Sequence, residues 1–259
     1  MLSRRNFLQT TAAAAGAITV LPYVAMAGNH AMSFANGTVK ATPISHASVV
    51  LETPMGVIYA DPVGDPAQYA DLPPADLVLI THHHGDHLNN ETLAAVLNDK
   101  ATLISNKGAH DKMTTDLAAR AQVIANTQIT SFGDIGIEAI AAYNTTEGRL
   151  KFHPQGRDNG YVLNIGDTRV YLSADTEDVP EMRAIKDIDV AFLCMNLPFT
   201  MDIKAAASAV AEFKPSVVIP YHYRGKEGGT QDPIAFAAML DSAIQVEQGN
   251  WYGKGKGMI

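Results

Sequence analysis

The sequence of 259 residues predicts an α/β fold in which two mixed β-sheets pack together with helices on the outside. Three observations favour this fold. The composition, 47% hydrophobic and 18% charged, is that of a globular protein rather than of a disordered or fibrous one. Short β-like runs alternate with helical patterns along the chain. The first half shows strands followed by this alternation, and the second half repeats that order.

The first half of the chain contains a predicted hairpin and three further strands. Apolar runs at 49–51 and 57–59 flank Pro54-Met55-Gly56, which is typical of a hairpin. A continuous apolar run at 76–80 predicts a buried strand. The other predicted elements are a helix at 90–98 and strands at 102–104 and 122–124, on either side of a helix near 109–120.

The second half contains three strands followed by strands that alternate with helices. The turn Gly166-Asp167 joins the second and third of these strands as a hairpin. The predicted strands lie at 136–141, 161–165, 169–172, 189–193 and 217–219, and the predicted helices at 203–212 and 233–245.

The first 27 residues predict a targeting segment rather than part of the fold. Adjacent Arg4 and Arg5 precede an apolar, Ala-rich stretch, and Ala25-Met26-Ala27 has the pattern of a cleavage site. This order resembles a twin-arginine export signal. The alternative is a membrane anchor, but the apolar stretch is shorter than the ~20 residues of a span, and Pro22 interrupts it. We therefore expect a signal peptide at 1–27, one domain at 28–259, the export machinery as a partner and a periplasmic location.

Charge and cysteine content exclude several classes of function. The net charge of −8 argues against a nucleic-acid partner, because phosphate binding needs a basic face. The single cysteine, Cys194, excludes a disulfide within the chain and a Cys-rich zinc site. We expect it to be a core residue, since it follows an apolar run.

The most informative segment is a histidine-rich loop, the run His82-His83-His84-Gly85-Asp86-His87, directly after the predicted strand at 76–80. Alternate side chains of an extended backbone lie on the same side, so His82 and His84 should point together and His83 away. Gly85 permits a sharp turn that returns Asp86 and His87 to the same place. Imidazoles and a carboxylate suit a divalent ion, and two such half-sites predict a two-metal centre.

These residues resemble the metallo-β-lactamase superfamily of hydrolases. Three weaker motifs continue the resemblance along the chain. In this order they resemble the branch of ascorbate-phosphate lactonases and NAPE phospholipase D. The motifs are Ser45-His46-Ala47-Ser48 with Asp61-Pro62, then Ser173-Ala174-Asp175-Thr176, then Pro220-Tyr221-His222-Tyr223. In the second motif, Ala174 replaces a glycine. The resemblance implies a four-layer αβ/βα sandwich of two mixed β-sheets, the metallo-β-lactamase fold.

The resemblance also implies a ligand set. His82 and His84 would hold the first metal ion, and Asp86, His87 and His222 the second, with Asp175 bridging both. Two divalent ions are expected, with zinc first and manganese or iron as alternatives. Asp86 or Asp175 would orient the nucleophile and accept its proton.

The third ligand of the first metal ion differs from the family pattern. Relatives have a histidine where this chain has Ala142-Tyr143-Asn144. Either Asn144, through its amide oxygen, or His153, nearby in sequence, completes the site; ligand preference favours His153. His46, Asp61 and Tyr223 are expected to orient ligands or to contact substrate.

These features predict a metal-dependent hydrolase that uses a metal-activated hydroxide on a small-molecule substrate. The branch implies a lactone, a cyclic ester or a phosphodiester. The alternatives are a mononuclear metal oxygenase of the same superfamily, a β-lactamase and a non-catalytic metal-binding protein. The sequence leaves the oligomeric state open.

Overall fold

A computed structural model describes residues 31–226 and 229–253 of the chain. The predicted signal segment at 1–27 lies outside the described residues. Within the described part, no helix combines the length and the apolar character needed to cross a bilayer.

The first half of the chain forms one seven-stranded sheet. Its strands are β1 (Met32–Phe34), β2 (Val39–Ser45), β3 (Ser48–Thr53), β4 (Gly56–Ala60), β5 (Leu77–Ile80), β6 (Thr102–Ser105) and β7 (Ala121–Val123). They lie in sequence order, antiparallel from β1 to β4 and parallel from β4 to β7. The sheet is therefore mixed, as the sequence predicts.

The second half forms the other seven-stranded sheet. Its strands are β8 (Ile129–Phe132), β9 (Ile135–Ala142), β10 (Asp158–Ile165), β11 (Thr168–Leu172), β12 (Val190–Cys194), β13 (Val217–Tyr221) and β14 (Gln245–Val246). They are antiparallel from β8 to β11 and parallel from β11 to β14. Each half thus repeats one topology, and the predicted α/β fold of two mixed sheets is confirmed.

Helices connect the parallel strands of both sheets. They are α1 (Asn90–Val96), α2 (Lys107–His110), α3 (Thr115–Arg120), α4 (Pro180–Arg183), α5 (Ile203–Phe213) and α6 (Pro233–Ala237). Two short 3-10 turns, Ala35–Gly37 and Pro66–Tyr69, complete the described elements.

Strand β5 shows how the layers form, because it is buried on both faces. Leu77 and Leu79 belong to the central core, which also contains residues of the second sheet such as Tyr161 and Phe192. Val78 and Ile80 belong to a separate outer core with helix residues such as Leu93. Alternate side chains of one strand therefore contact the partner sheet and the covering helices, as a continuous apolar run predicts. Cys194 lies in the central core, as expected.

Two predicted helices are shorter than the sequence pattern indicates. The helix near 109–120 is divided into α2 and α3, because the Asn90 side chain bonds the Lys112 carbonyl and the Thr114 amide between them. The predicted helix at 233–245 ends at Ala237. The backbone beyond it turns to add β14 beside β13, where the Gln245 amide donates to the Ser216 carbonyl. In both places hydrogen bonds to distant segments override the local pattern.

Candidate metal centre

The polar residues of the sequence motifs lie at one edge of the two sheets. The histidine loop follows β5, Asp175 lies just beyond β11, and His222 follows β13. His46 lies in the turn between β2 and β3, and Asp61 follows β4 directly. Carboxyl ends of parallel strands are where α/β folds place their ligands. The fold therefore collects side chains from both halves of the chain at one place.

One group of potential ligands combines the histidine loop with the second sheet. His82, His84, His153 and Asp175 each offer an atom, and these atoms lie within 4.8 Å of one another. His82 Nε2 is 3.1 Å from His84 Nδ1. His153 Nε2 is 3.3 Å from Asp175 Oδ2. The structure thus brings His153 to the place that the sequence left open between it and Asn144, while His83 belongs to none of the described ligand groups.

A second group contains His87, Asp175 and His222. Asp175 Oδ1 lies 3.4 Å from His87 Nε2 and 3.3 Å from His222 Nε2. Asp86 Oδ2 is also 3.3 Å from His222 Nε2, but it forms a separate group with His222 and His46. The two oxygens of Asp175 therefore face different groups, which is the arrangement a bridging carboxylate needs.

These residues fit a divalent cation because buried polar atoms in the second group lack hydrogen-bond partners. Among the described residues, His87 Nε2, His222 Nε2 and Asp175 Oδ1 are all buried and have none. Leaving such an atom unpaired costs about 1–3 kcal/mol. Three of them converge on one point, and imidazole nitrogen with carboxylate oxygen is a preferred donor set for zinc, manganese and iron.

A further set of side chains orients the imidazoles. Asp61 Oδ2 is 2.7 Å from His87 Nδ1, and the same carboxylate accepts the Thr81 amide and hydroxyl. Asp158 Oδ2 lies 3.0 Å from His153 Nδ1. When a carboxylate accepts a hydrogen bond from the Nδ1–H group, Nε2 carries the lone pair, which is directed at the centre. Asp61 therefore lies where the sequence analysis expected a ligand-orienting acceptor.

Electrostatics divides the histidines into two kinds. Burial, together with neighbouring imidazoles, lowers the pKa of His84 to about 4 and that of His82 well below its ordinary value. Burial also opposes protonation of His87, but the carboxylates of Asp175 and Asp61 outweigh it and raise the pKa of His87 well above the usual range. A divalent ion bound there would oppose this protonation, because imidazole binds a metal only in its neutral form.

Asn144 holds loops together. Its Nδ2 donates to the carbonyls of Arg149, at 3.0 Å, and Phe199, at 2.6 Å. Its amide nitrogen is thus committed to two protein loops, while its Oδ1 is buried without a hydrogen-bond partner. The Asn144 side chain therefore joins the walls of the site.

His46 connects the centre to the C-terminal segment. Its Nε2 is 3.3 Å from Asp86 Oδ2, and its Nδ1 is 2.7 Å from the Tyr252 hydroxyl. Its ring centroid lies 3.7 Å from that of His222. Tyr223, a predicted substrate contact, packs edge-on against Tyr252 with centroids 5.0 Å apart.

Sequence reasoning missed Thr81, Asp158 and Tyr252 as supporting residues. Thr81 immediately precedes the histidine loop, so its position offered a local signal. Asp158 is separated from His153 by 5 positions and begins β10. Tyr252 lies 206 positions from His46, and only the tertiary fold brings them together.

The backbone at the site is unusual. Four non-glycine residues have left-handed φ values: His46 at 52°, Asp61 at 45°, Ala174 at 58° and His222 at 46°. Such a conformation costs an L-residue about 1–2 kcal/mol and persists where the surrounding structure enforces it. At Ala174 this is a conformation that glycine would adopt without that cost.

Comparisons with known proteins agree with this fold. The sequence model of the family described as Beta-lactamase superfamily domain matches residues 41–222. A UPF0173 metal-dependent hydrolase from Anaeromyxobacter dehalogenans is 28% identical over 234 residues, covering 82% of this chain and 85% of the relative. Another from Pyrococcus horikoshii is 28% identical over 225 residues, covering 80% and 95%.

A solved structure extends the likeness to three dimensions. The crystal structure of a candidate metal-dependent hydrolase from Parabacteroides distasonis has a TM-score of 0.74 and 40% sequence identity to this chain. The similarity covers 85% of this chain and 97% of that one. The two proteins therefore share both fold and a substantial part of their sequence.

Proposed function

Since this chain belongs to the β-lactamase superfamily domain family, it is a metal-dependent hydrolase, and we propose that it cleaves a lactone, a cyclic ester or a phosphodiester with two divalent ions. Zinc is the first candidate, with manganese and iron as alternatives. The resemblance of its motifs to the lactonase-like branch supports this substrate range.

One observation carries the proposal: Asp175 faces two ligand groups with its two oxygens. Oδ2 lies beside His153, whose group includes His82 and His84, and Oδ1 lies beside His87 and His222. A structural zinc site is usually a closed set of four ligands. The paired groups here open onto a cavity lined by His84, Asp86 and Asp175, which favours catalysis over storage.

The protein's own residues would supply orientation. When bound, the metal ions supply a water of lowered pKa and polarise the substrate oxygen. Asp86 lines the cavity, so its carboxylate is placed to orient a reacting group there. Asp61 and Asp158 hold the imidazoles of His87 and His153 in one orientation, so that the ligand atoms need not reorganise during turnover.

Two variants test the two-metal assignment. Asp175→Ala should abolish hydrolysis of lactones and phosphodiesters while the protein remains folded by circular dichroism. His153→Ala should lower the metal content, measured by plasma emission spectrometry, by about one ion per chain. His110→Ala, an exchange in α2 outside the described ligand groups, is the matched control and should keep both metal and activity.

Retained activity in Asp175→Ala would contradict catalysis at this centre. An unchanged metal content in His153→Ala would remove His153 from the ligand set. One ion per chain in the parent protein would favour a mononuclear oxygenase or a binding protein instead.

We also propose that residues 1–27 export the protein to the periplasm through the twin-arginine machinery. The adjacent Arg4 and Arg5, the apolar stretch and the small residues at 25–27 support this. Mass spectrometry of the periplasmic protein should find Gly28 at its N-terminus, and Arg4→Lys with Arg5→Lys should retain the precursor in the cytoplasm. Normal export of that variant would contradict the proposal.

A further inference from the structure

A cavity of about 250 Å³ opens directly onto the candidate metal centre. Its lining residues are His84, Asp86, Phe152, His153, Asp175, Asn196 and Phe199. Four of these residues belong to the ligand groups: His84, Asp86, His153 and Asp175. The other three, Phe152, Asn196 and Phe199, have no role in the proposed reaction, and we call them the aromatic wall.

The aromatic wall presents two rings in a defined arrangement. Phe152 and Phe199 pack edge to face, with centroids 5.1 Å apart. Lys151 Nζ lies 5.1 Å from the Phe152 centroid, and Lys226 Nζ lies 5.6 Å from the Phe199 centroid. Both rings are half-buried, and they come from segments 47 positions apart. Such a pair offers apolar surface of fixed shape to a ligand.

Hydrogen bonds outside the cavity fix the two segments to each other. Asn144 donates to the carbonyl of Phe199 and to that of Arg149, which precedes Phe152 in the same loop. The Arg149 guanidinium donates to the Thr200 carbonyl at 3.0 Å and to Glu177 at 3.1 Å. The aromatic wall is therefore formed before any ligand arrives, which lowers the entropic cost of binding.

The chemistry of the cavity restricts what it can hold. Its volume lies below the 300–1,000 Å³ of sites for drug-sized ligands, whereas a cavity of about 150 Å³ accommodates benzene. No lysine or arginine is among the described lining residues, but Lys151 and Lys226 lie beside the two rings.

We propose that the aromatic wall binds the apolar ring of a small carboxylic ester or lactone and so selects substrates that carry such a ring. This inference rests on the proposed hydrolase function. The ring would pack against Phe152 and Phe199 while the ester group faces Asp86 and Asp175. Asn144 stabilises the wall that makes this selection through its hydrogen bond to the Phe199 carbonyl.

The test compares two lactones that differ by one aromatic ring, dihydrocoumarin and δ-valerolactone. Phe199→Ala in the metal-loaded full chain should lower kcat/KM for dihydrocoumarin about tenfold more than for δ-valerolactone. The comparison of ratios cancels the different intrinsic reactivities of the two esters. Phe132→Ala, a ring on β8 that lies outside the cavity lining, is the matched control and should change both values equally.

A second readout does not depend on turnover. The ring-opened product of dihydrocoumarin, 3-(2-hydroxyphenyl)propanoate, should bind the parent protein about tenfold more tightly than Phe199→Ala in a calorimetric titration. Equal binding, or an equal loss for both lactones, would overturn the aromatic-wall proposal while leaving hydrolysis intact. Absence of any hydrolysis with preserved product binding would instead contradict the proposed function.

Discussion

The hydrogen bond between Tyr252 and His46 has a role at the scale of single residues. The Tyr252 hydroxyl accepts a hydrogen bond from the Arg224 amide at 3.3 Å, so the hydroxyl proton is free to be donated to His46 Nδ1. Burial and the neighbouring His222 lower the pKa of His46 to about 4, which keeps the ring neutral. Its single proton then lies on Nε2, facing Asp86 Oδ2. Tyr252 thus orients a potential ligand through an intermediate imidazole.

We therefore expect Tyr252→Phe to weaken metal binding. Loss of a side chain that orients a metal ligand typically lowers metal affinity 10–100-fold. The apparent Kd for the metal should therefore rise about tenfold in a chelator competition assay. Nitrogen NMR of His46 should also show a mixture of tautomers. Tyr59→Phe, which removes a hydroxyl bonded to the Pro73 carbonyl at 2.9 Å, is the control. Unchanged affinity in Tyr252→Phe would assign Tyr252 to packing alone.

Residues of the site could be predicted where the residues they contact are close in sequence, and not where those residues are distant. The spacing of His82 and His84 on one extended segment was sufficient to predict that they point together, and the structure brings them within 3.1 Å. Asp61 could be inferred because it follows an apolar strand. Tyr252 carries no such signal, since His46 is brought near it only by the packing of separate segments.

At the scale of elements, the loop after β9 depends on one buried carboxylate. Glu177 accepts hydrogen bonds from the backbone amides of Thr145 and Thr146, each at 2.8 Å, and forms an ion pair with Arg149 at 3.1 Å. Burial acts to raise the pKa of Glu177, but these donors outweigh it and hold the pKa below its ordinary value of 4.5. A carboxyl group with a lowered folded-state pKa stabilises the protein above its unfolded pKa and loses that contribution as the pH falls.

Glu177→Gln should therefore reduce the acid sensitivity of the fold. At about pH 6 the variant should be less stable by roughly 1–3 kcal/mol in urea, because buried donors lose a charged acceptor. Between about pH 5.5 and 3.5 its stability should fall less than that of the parent. Glu91→Gln, at an exposed position of α1, should follow the parent curve. Parallel curves for Glu177→Gln and the parent would contradict this account.

Strands were easier to predict than helices, and the reason lies in how each is bounded. The apolar runs of β5, β12 and β13 are buried, so hydropathy alone locates them. The boundaries of α3 and α6 depend on Asn90 and on pairing with β13, and neither appears in a helical pattern. Four strands were missed. The strands β1 and β14 are short, the residues of β8 are exposed or half-buried, and in β2 polar residues and Pro43 interrupt the apolar pattern.

At the scale of the whole molecule, the metal centre joins the two sheets. Histidines of the loop after β5 come from the first sheet, while His153, Asp175 and His222 come from the second. The sheets already share the central core, and Tyr161 of β10 donates to the Ile80 carbonyl of β5 at 2.9 Å. A bound ion adds a cross-link at the open edge.

Removal of bound metal should therefore lower the thermal stability of the folded protein. A ligand present at 100 times its Kd contributes about 2.7 kcal/mol, which for a domain of this size corresponds to a fall in Tm of roughly 5–10 °C on chelation. Differential scanning calorimetry with and without EDTA measures it, and re-addition of zinc should restore the parent value. In Asp175→Ala the difference should nearly disappear. An equal shift in that variant would place the stabilising ion elsewhere.

The order of the strands has a consequence for biosynthesis and for engineering. Each sheet is built from one uninterrupted half of the chain, and the halves meet at the short connection between β7 and β8. A cut at 124–128 would release two fragments, each with a complete sheet but only part of the ligand set. Neither fragment could hydrolyse substrate alone, and a nascent chain gains the full set only after residue 222 has been added. Recovered turnover on mixing the fragments would then report directly on their association, which makes the protein a ready-made complementation sensor.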